Sequence, residues 1–483
     1  MVERKPIILL NIDSLMVEPL EIAVQTGRAK ALEFLMENGT YYPNVVSSFP
    51  TMSVTIDSSI LTGTYADEHR IPALNWFDVT KKEMVNYGTG FFETYRTGMR
   101  KTIDNMLYKL NNEHLSKEVT TIFEELAERG IPSASINSFV YRGNEPTTFR
   151  VPKLLKTFTF FQDGKFTTNA PPIVSLGALS KLDPRNVTLQ IAAGNYKFTA
   201  RELKKLIRDN ELPLFTFCVF QDLDLRIHIK GMMDIQGISK IDKQIESIFN
   251  LFSSWDEALE KCIWIVMGDN GHAPLRHKRK DAQIKLNNLL HEYRIAKINR
   301  SVRKRDQIVF SVNQRMAYIY VLDHKLPMTT IVEKLKKDPR IDVIAWKEEP
   351  WIRVESGVIP GALHFRKADE IKDEYDAEWK IRGNLEILDV KVNRDGIVAF
   401  QQYPDAFARL YGALHSHEGR FFVVNAKPGY EFKAQLTPSH PSAAHGSLHR
   451  RETLVPLIIS GTNEVPNYLR IVDLKEFILR HLI

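Results

Sequence analysis

Three apolar segments of strand length, widely separated in the chain, each lead into acidic residues. The segments and the acids that follow them are Pro6 to Ile12 with Asp13, Leu212 to Phe220 with Asp222 and Asp224, and Cys262 to Met267 with Asp269. Runs with so few polar residues are typical of parallel strands that are buried on both faces of a sheet. The carboxyl ends of such strands form the ligand crevice of an open α/β sheet, so we expect these aspartates to converge there.

Aspartates that share a crevice repel one another unless a cation neutralises them. A single aspartate after a strand is commonly a turn or helix-cap residue, because its side chain accepts hydrogen bonds from nearby backbone N–H groups. Three aspartates in the same topological position are harder to explain in that way, and they favour a metal site.

Helical patterns alternate with these strands. Apolar residues recur at helical spacing between Glu21 and Glu37, between Lys117 and Arg129, and from Ile238 to Phe252. Further strand candidates are Ser133 to Ile136, Phe421 to Val424 and Leu454 to Ser460, and Val472 to Leu482 has the pattern of a closing helix. The alternation predicts an α/β fold whose sheet is built from both ends of the chain.

The middle of the chain has a different pattern. From about His272 to Gln402 the segments are shorter and more polar, although Met316 to Leu322 still has strand character. We interpret residues 272–420 as an inserted cap or subdomain, and residues 1–271 and 421–483 as the main α/β core.

The charge balance of the chain bears on the class of ligand. The chain has 65 basic and 59 acidic residues, and its one local basic run, Arg276 to Lys280, is short. This balance favours a small anionic ligand over nucleic acid, which usually requires a concentrated basic face.

The only cysteines, Cys218 and Cys262, lie in apolar runs, so a disulfide framework is excluded. The segment Met1 to Pro6 is charged and resembles neither a signal peptide nor a membrane span, so we expect a cytoplasmic protein without a membrane partner.

Hydroxyl groups cluster before a predicted helix. Thr51, Ser53 and Thr55 precede the helical pattern of Ser58 to Thr62. Such residues often cap a helix, but a helix N-terminus also favours a phosphate, which would place a nucleophile beside its target.

Histidines provide the remaining candidate ligands. His228 follows Asp224 by four residues, a spacing that brings both side chains to the same side of a turn. Further along, His440, His445 and His449 lie in one loop of turn-forming residues, where they could be plain surface residues or ligands. Mixed aspartate and histidine ligands suit zinc or manganese better than magnesium or calcium.

In motif and order these stretches resemble the type I phosphodiesterase/nucleotide pyrophosphatase branch of the alkaline phosphatase superfamily. That family has an aspartate after its first strand, a Pro-Thr-x-Thr/Ser nucleophile segment leading to Thr-Gly, an Asp-x-x-x-His pair, an aspartate after the next strand, and a late His-Gly. The matching positions are Asp13, Ser53 followed by Leu61–Tyr65 and Glu68–Ile71, Asp224 with His228, Asp269, and His445 with Gly446. The resemblance covers about the first 75 residues, about 215–275 and 425–461.

The resemblance implies a three-layer α/β/α sandwich of alkaline-phosphatase type with an inserted cap, and a site for two divalent ions. Zinc is the expected metal, with manganese and magnesium as alternatives. The implied ligands are Asp224, His228 and His445 for one ion, and Asp13, Ser53 and Asp269 for the other.

The implied activity is hydrolysis of phosphodiester or nucleotide pyrophosphate bonds in a small phosphorylated substrate, through a phosphoseryl intermediate on Ser53. Thr51 and Thr55 are the alternative nucleophiles. Two other functions stay open: hydrolysis of a phosphomonoester, phosphonate or sulfate ester on the same fold, and binding of a phosphorylated ligand without turnover.

Two departures from the family pattern bear on these alternatives. Asn270 stands where the family has a histidine ligand, so either its carbonyl oxygen or His272 would have to serve. Ile56 stands where relatives that cleave nucleotides carry an asparagine that binds a phosphoryl oxygen. The first departure would shift the metal preference towards harder ions such as manganese or magnesium, or weaken the second metal site. The second departure weakens inference about the substrate.

Overall fold

The computed structural model describes residues 4–88, 94–95, 98–151, 156, 159–161, 164–179, 195–297, 300–435 and 437–483. Of the N-terminal segment Met1 to Pro6, residues 1–3 therefore lie outside the described part. None of the described helices is both long and apolar enough to cross a membrane.

A seven-stranded sheet forms the centre of the main core. Its strands, in spatial order, are Gly39–Val46, Leu454–Ser460, Ile263–Gly268, Ile7–Ile12, Phe215–Phe220, Ser133–Ile136 and Ile173–Ser175. The last five are parallel to one another, whereas Leu454–Ser460 is antiparallel to both of its neighbours. The sheet is thus built from both ends of the chain, as predicted.

The strand Ile7–Ile12 shows why its sequence is apolar at almost every position. Ile7 and Leu9 belong to the hydrophobic cluster on one face of the sheet, and Ile8 and Leu10 belong to the cluster on the other face. Each fully buried side chain of this kind contributes about 1.5–3 kcal/mol to folding. Cys218 and Cys262 are buried and unpaired, which confirms their prediction as core residues.

Helices cover both faces of this sheet, which confirms the three-layer α/β/α sandwich. The helices on one face are Val17–Gln25, Lys30–Glu37, Tyr196–Arg208, Asp222–Lys230, Ile235–Phe249 and Trp255–Lys261. Those on the other face are Ser53–Thr62, Ile122–Glu128 and Leu474–Leu482.

The helix predicted from Glu21 to Glu37 is two helices, Val17–Gln25 and Lys30–Glu37. Gly27 separates them with φ of +66°, a left-handed conformation that side-chain-bearing residues rarely adopt. The periodicity continued across the break because both helices bury a face against the same layer.

A second seven-stranded sheet occupies most of the inserted region. Its strands, in spatial order, are Ile308–Asn313, Met316–Val321, Phe421–Ala426, Ile341–Glu348, Trp351–Glu355, Leu363–Lys372 and Glu378–Gly383. The helices Met328–Leu335 and Ala406–His415 pack on its opposite faces.

The strand at Phe421–Ala426 corrects one prediction. We expected it in the central sheet, but it pairs with Met316–Val321 and Ile341–Glu348 of the second sheet. Its apolar run reflects burial on both faces, which either sheet satisfies, so the sequence alone could not choose between them. The division of the chain at residues 272 and 420 itself stays a prediction.

Shorter elements complete the fold. Paired short strands are Asn75–Asp78 with Glu83–Asn86, Glu145–Arg150 with Lys165–Ala170, Ala273–Pro274 with Ala443–Ala444, Gln283–Lys285 with Glu431–Lys433, and Val390–Val392 with Val398–Phe400. Short helices are Ala66–His69, Met99–Asp104, Arg279–Ala282, Leu286–Leu289 and Arg450–Thr453.

Candidate metal centre

Three adjacent strands of the central sheet deliver the predicted aspartates to one edge. Asp13 directly follows Ile7–Ile12, Asp269 directly follows Ile263–Gly268, and Asp224 lies in the first turn of the helix after Phe215–Phe220. Burial, and then the charges of Asp269 and Asp224, raise the pKa of Asp13 well above its ordinary value. The aspartates therefore converge, as predicted from the strand ends.

Asp224 is surrounded by imidazoles. Its Oδ1 lies 3.3 Å from Nε2 of His228, 3.1 Å from Nε2 of His272 and 3.4 Å from Nε2 of His445. The ligand atoms of the four side chains all lie within 4.8 Å of one another, close enough to hold one metal ion. Burial acts to raise the pKa of Asp224, but the three histidines hold it well below its ordinary value.

Backbone carbonyls orient two of the imidazoles. Nδ1 of His228 lies 2.8 Å from the carbonyl oxygen of Ala443, and Nδ1 of His445 lies 2.5 Å from that of Thr51. Because a carbonyl oxygen only accepts, each Nδ1 carries a proton, and each Nε2 is the ring nitrogen that a metal ion could bind beside Asp224. This is the usual arrangement of histidines that bind metals.

His272, which we named only as an alternative ligand, joins this group directly. Its side chain is fully buried, and its Nε2 also lies 2.9 Å from Oγ of Ser14. The sequence carried one signal for it: His272 follows Asp269 by three residues, on the same loop at the sheet edge.

A second set of oxygen atoms surrounds Asp269. Its Oδ1 accepts hydrogen bonds of 2.7 Å from the backbone N–H groups of Ser14 and Asn270. Oδ2 of Asp269 and the side-chain carbonyl oxygen of Asn270 are buried and have no hydrogen-bond partner among the described residues. Two orphaned buried oxygens are costly unless a cation binds them.

Ser14 links the two sets. Its hydroxyl lies 3.1 Å from Oδ1 of Asp224 and 3.3 Å from Oδ1 of Asp13, and the Asn270 amide donates to it at 3.2 Å. Ser14 has φ of +63°, so its position depends on an uncommon backbone conformation at the end of the first strand.

Asp57 adds a further acid that we did not predict. It is buried in the helix Ser53–Thr62, where it accepts hydrogen bonds from Asn11 at 3.0 Å and Ser138 at 3.1 Å. Burial, and then the charge of Asp269, raise the pKa of Asp57 to about 8, and burial raises that of Asp269 to about 6. The pocket thus holds more carboxylates than its own cations neutralise, which fits a site for divalent ions.

The predicted nucleophile segment begins its helix earlier than expected. The helix spans Ser53–Thr62, and its N-cap is Met52, which offers no side-chain hydrogen bond. The simple capping role for the hydroxyls is therefore wrong, and Ser53 occupies the first helical position.

The three hydroxyls differ in availability. Oγ1 of Thr51 accepts a 2.7 Å hydrogen bond from the backbone N–H of Gly446, and Thr55 is fully buried. Ser53 is only half-buried. Of the candidates, Ser53 is the one that a substrate can approach.

Gln314 enters the site from the second sheet, which the sequence did not reveal. It lies in the turn between Ile308–Asn313 and Met316–Val321, with φ of +58°. Its Oε1 accepts a 3.0 Å hydrogen bond from the backbone N–H of His445, so its amide nitrogen faces Nε2 of His445 at 2.9 Å and Nε2 of His228 at 3.4 Å.

The loop that carries His445 is docked onto the same turn. The backbone N–H of Arg315 donates to the carbonyl of His445 at 3.0 Å. At Gly446, with φ of +111°, an added Cβ would lie 2.4 Å from the carbonyl oxygen of Asn313. This turn of the second sheet therefore holds the backbone of His445 in place.

The other histidines of this loop have different roles. The ring of His440 packs 4.3 Å from that of His228 and contacts the buried Glu431 at 2.8 Å. His449 caps the short helix Arg450–Thr453. Ile56 is fully buried in the hydrophobic core, so nothing at this position can bind a phosphoryl oxygen.

Comparisons with known proteins identify a family and a set of similar folds. The family model for type I phosphodiesterase/nucleotide pyrophosphatase matches residues 7–392. No curated protein sequence matches the chain significantly.

Solved structures of similar fold include murine ectonucleotide pyrophosphatase/phosphodiesterase 5, with 13% identity and a TM-score of 0.57 over 99% of this chain and 95% of that one. The human protein of the same name has 13% identity and a TM-score of 0.58, covering 99% of this chain and 94% of that one. An inactive variant of the murine protein in complex with AMP matches with 13% identity and a TM-score of 0.58, over 99% and 95% of the two chains. At this identity the likeness establishes the fold.

Proposed function

Because the chain belongs to the type I phosphodiesterase/nucleotide pyrophosphatase family, we propose that it cleaves phosphodiester or pyrophosphate bonds of a nucleotide through Ser53 and two divalent ions. Family membership makes it a hydrolase that acts on phosphoric ester bonds. The nucleophile, the number of ions and the nucleotide belong to the proposal.

The proposal rests on one observation: a group of candidate metal ligands and a candidate nucleophile are linked by the same short segment of chain. Asp224, His228, His272 and His445 direct their ligand atoms to one point. A half-buried serine begins a helix on the segment whose Thr51 contacts both His445 and Gly446. This combination suits attack on a phosphate that is held beside a metal ion.

The residues present fit two metal sites, one with mostly nitrogen ligands and one with oxygen ligands. The aspartate and three histidines would hold one ion, and zinc suits such a nitrogen-rich set. Asp13, Asp269 and Ser53 would hold the other, with the carbonyl oxygen of Asn270 as a further ligand, and these oxygens also accept manganese or magnesium. Bound ions would neutralise the carboxylates, lower the pKa of the serine hydroxyl and of water, and polarise the phosphoryl group.

Ser53 acts in two steps in this proposal. Its Oγ forms a bond to phosphorus while the bond from phosphorus to the leaving oxygen breaks, which leaves a phosphoserine ester. Water then attacks the same phosphorus, the bond from phosphorus to Oγ breaks, and a proton from the water restores the serine hydroxyl while phosphate product is released. In the helix Ser53–Thr62 the N–H groups of Thr55 and Ile56 already donate to the carbonyl oxygen of Met52. Those of Ser53 and Val54, in the first turn, are therefore the ones that favour a phosphate approaching Ser53.

Nucleotides are the substrate class that we favour. The complex of the inactive murine variant with AMP supports this choice, as does the family description. We place the protein in the cytoplasm, where the two unpaired cysteines are compatible with a reducing setting.

A comparison of two chromogenic esters tests the substrate class. We expect bis-p-nitrophenyl phosphate, a diester, to be cleaved with kcat/KM at least about tenfold higher than p-nitrophenyl phosphate, a monoester, under added zinc, manganese or magnesium. A phosphomonoester carries an additional negative charge near neutral pH that a diester lacks, and the site would have to neutralise that charge. A monoester preference would instead favour the alternative of a phosphomonoesterase on the same fold.

In this proposal, Gln314 replaces the phosphoryl-binding asparagine that the family has at the position of Ile56. With Ile56 buried in the core, the side-chain N–H₂ of Gln314 is an amide donor beside the histidine Nε2 atoms. Once those atoms bind a metal, the amide is free to donate to a phosphoryl oxygen. We expect Gln314→Ala to reduce kcat/KM for the diester by about 10²-fold, the usual loss for one such donor.

Gln307 supplies the matched control for this prediction. It lies at the far end of the same pair of strands, and its amide donates to Asp323 at 3.0 Å. Gln307→Ala should leave diester hydrolysis within about twofold of the unaltered protein, as is usual for a change remote from the site. Equal losses in both variants would mean that Gln314 supports only the fold of the hairpin.

A further inference from the structure

A large cavity lies at the end of the second sheet remote from the metal centre. It has a volume of about 800 Å³ and is lined in part by Val321, Leu322 and Gln307. The strand Met316–Val321 runs from beside Gln314 to this cavity, and its six residues span roughly 20 Å at the usual rise per residue. The metal-centre residues do not contribute to its lining. The cavity is therefore separate from the catalytic site.

Basic side chains dominate the lining. Arg303–Arg305 contribute three adjacent cations, and Lys82, Arg294, Lys325 and Arg420 converge from other segments. Within the described residues none of these seven side chains forms an ion pair with a carboxylate. The whole chain has nearly equal numbers of basic and acidic residues, 65 and 59. The excess of basic residues in this cavity is therefore local.

The two carboxylates in the lining are already engaged. Asp306 pairs with Arg300 at 3.2 Å and accepts the backbone N–H of Arg303 at 2.8 Å. Asp323 accepts the Gln307 amide at 3.0 Å and the backbone N–H of Lys325 at 3.1 Å. Neither carboxylate forms a side-chain ion pair with a cation of the cavity among the described residues, and two carboxylates against seven cations leave the lining with a net positive charge.

Two of the guanidinium groups are held in place by neutral acceptors. Arg294 donates to the carbonyl oxygen of Arg305 at 2.6 Å, and Arg420 donates to those of Asp323 and Leu326 at 3.3 and 3.1 Å. Carbonyl oxygens fix the position of an arginine without cancelling its charge. Like charges fixed together repel one another until an anion binds between them.

The volume of the cavity and the apolar residues in its lining limit the kind of ligand that it can bind. Val79, Val302 and Leu322 are half-buried and form apolar parts of the wall. The volume lies in the range of small-molecule sites, about 300–1,000 Å³. Arginine and lysine together are the usual partners of phosphate groups.

We propose that this cavity binds a small molecule that carries several phosphate groups, at a site distinct from the metal centre. The proposal does not depend on the catalytic role of Ser53. Its occupant presents phosphates to the cations of the loop Arg303–Arg305 and of Lys325, and an organic portion to the apolar wall.

Calorimetric titration with inorganic tripolyphosphate tests the site. The cavity variant combines Lys304→Gln and Lys325→Gln, and the control combines Lys278→Gln and Lys280→Gln, which removes the same charge from an exposed segment outside the cavity. We expect the cavity variant to bind tripolyphosphate at least about tenfold more weakly, and the control to bind within about twofold of the unaltered protein. Diester hydrolysis should be unchanged in both, which also verifies that both fold.

Two outcomes would overturn the proposal. Equal binding by both variants would mean that tripolyphosphate binds elsewhere, as in the metal centre. Tighter binding of a single-stranded oligonucleotide than of tripolyphosphate, lost in the same cavity variant, would identify a nucleic-acid surface instead of a small-molecule site. Because hydrolysis is measured on the same samples, failure here is distinguishable from failure of the catalytic proposal.

Discussion

Replacing Ser53 with alanine is expected to reduce phosphodiester turnover on the order of 10⁴-fold or more, while bound metal stays close to that of the unaltered protein. The change removes the oxygen that forms the bond to phosphorus, and no neighbouring hydroxyl can replace it. Thr51 is bonded to Gly446, and Thr55 is fully buried. Turnover with the chromogenic diester and elemental analysis of the same sample measure both effects.

Two variants sharpen this test. Ser53→Thr keeps a hydroxyl at the first helical position and should retain measurable turnover. Thr55→Ala removes a buried hydroxyl of the same helix and should leave the rate within about tenfold, since its effect comes through packing alone. Full activity in Ser53→Ala would transfer the nucleophile role to another group or contradict the covalent mechanism.

Replacing Asp224 with asparagine is expected to weaken metal binding by about 10²-fold or more and to lower turnover by a similar or larger factor. Asp224 Oδ1 is the atom that the Nε2 atoms of His228, His272 and His445 all approach. Asparagine keeps the size of the side chain but loses the negative charge that attracts a cation to this group of imidazoles. Metal affinity is measured by titration of the metal-stripped protein, and turnover by the diester assay.

Asp222 is the matched control on the same helical turn. Its carboxylate accepts the backbone N–H of Tyr196 and is not part of the four-residue metal group. Asp222→Asn should therefore keep metal affinity and turnover within about threefold, as expected for a residue outside the site. If Asp222→Asn and Asp224→Asn lost metal equally, a general change in local charge would explain the effect better than ligation.

The strand ends were predictable because burial and topology act on short stretches of sequence. Ile7–Ile12 and Phe215–Phe220 are buried on both faces, so nearly all of their residues are apolar. Parallel strands end at the same sheet edge, which brings Asp13, Asp224 and Asp269 together whatever the sequence between them. These features depend on local patterns and on one general rule of α/β sheets.

Other parts of the site depend on contacts that no local pattern records. Gln314 reaches the histidines because a hairpin of the second sheet docks on the loop of His445. Asp57 lies inside a helix, where its acid is visible in the sequence but its burial near Asp269 is not. The strand Phe421–Ala426 is apolar enough for either sheet, and only its partners decide.

His272 shows an intermediate case. The missing histidine at Asn270 indicated that a nearby residue had to compensate, and His272 was one of two candidates. The structure places its Nε2 beside Asp224, with the other two histidines, whereas the side-chain carbonyl oxygen of Asn270 is buried without a hydrogen-bond partner among the described residues. The two candidates thus have different surroundings, which the sequence could not reveal.

The most direct test of the central claim is to count the divalent ions bound per chain and to measure diester hydrolysis on the same sample, before and after metal removal. We expect two ions per chain, loss of hydrolysis when both are stripped, and recovery when zinc, manganese or magnesium is restored. A protein that binds no ion, or that hydrolyses the diester equally well without metal, would contradict it.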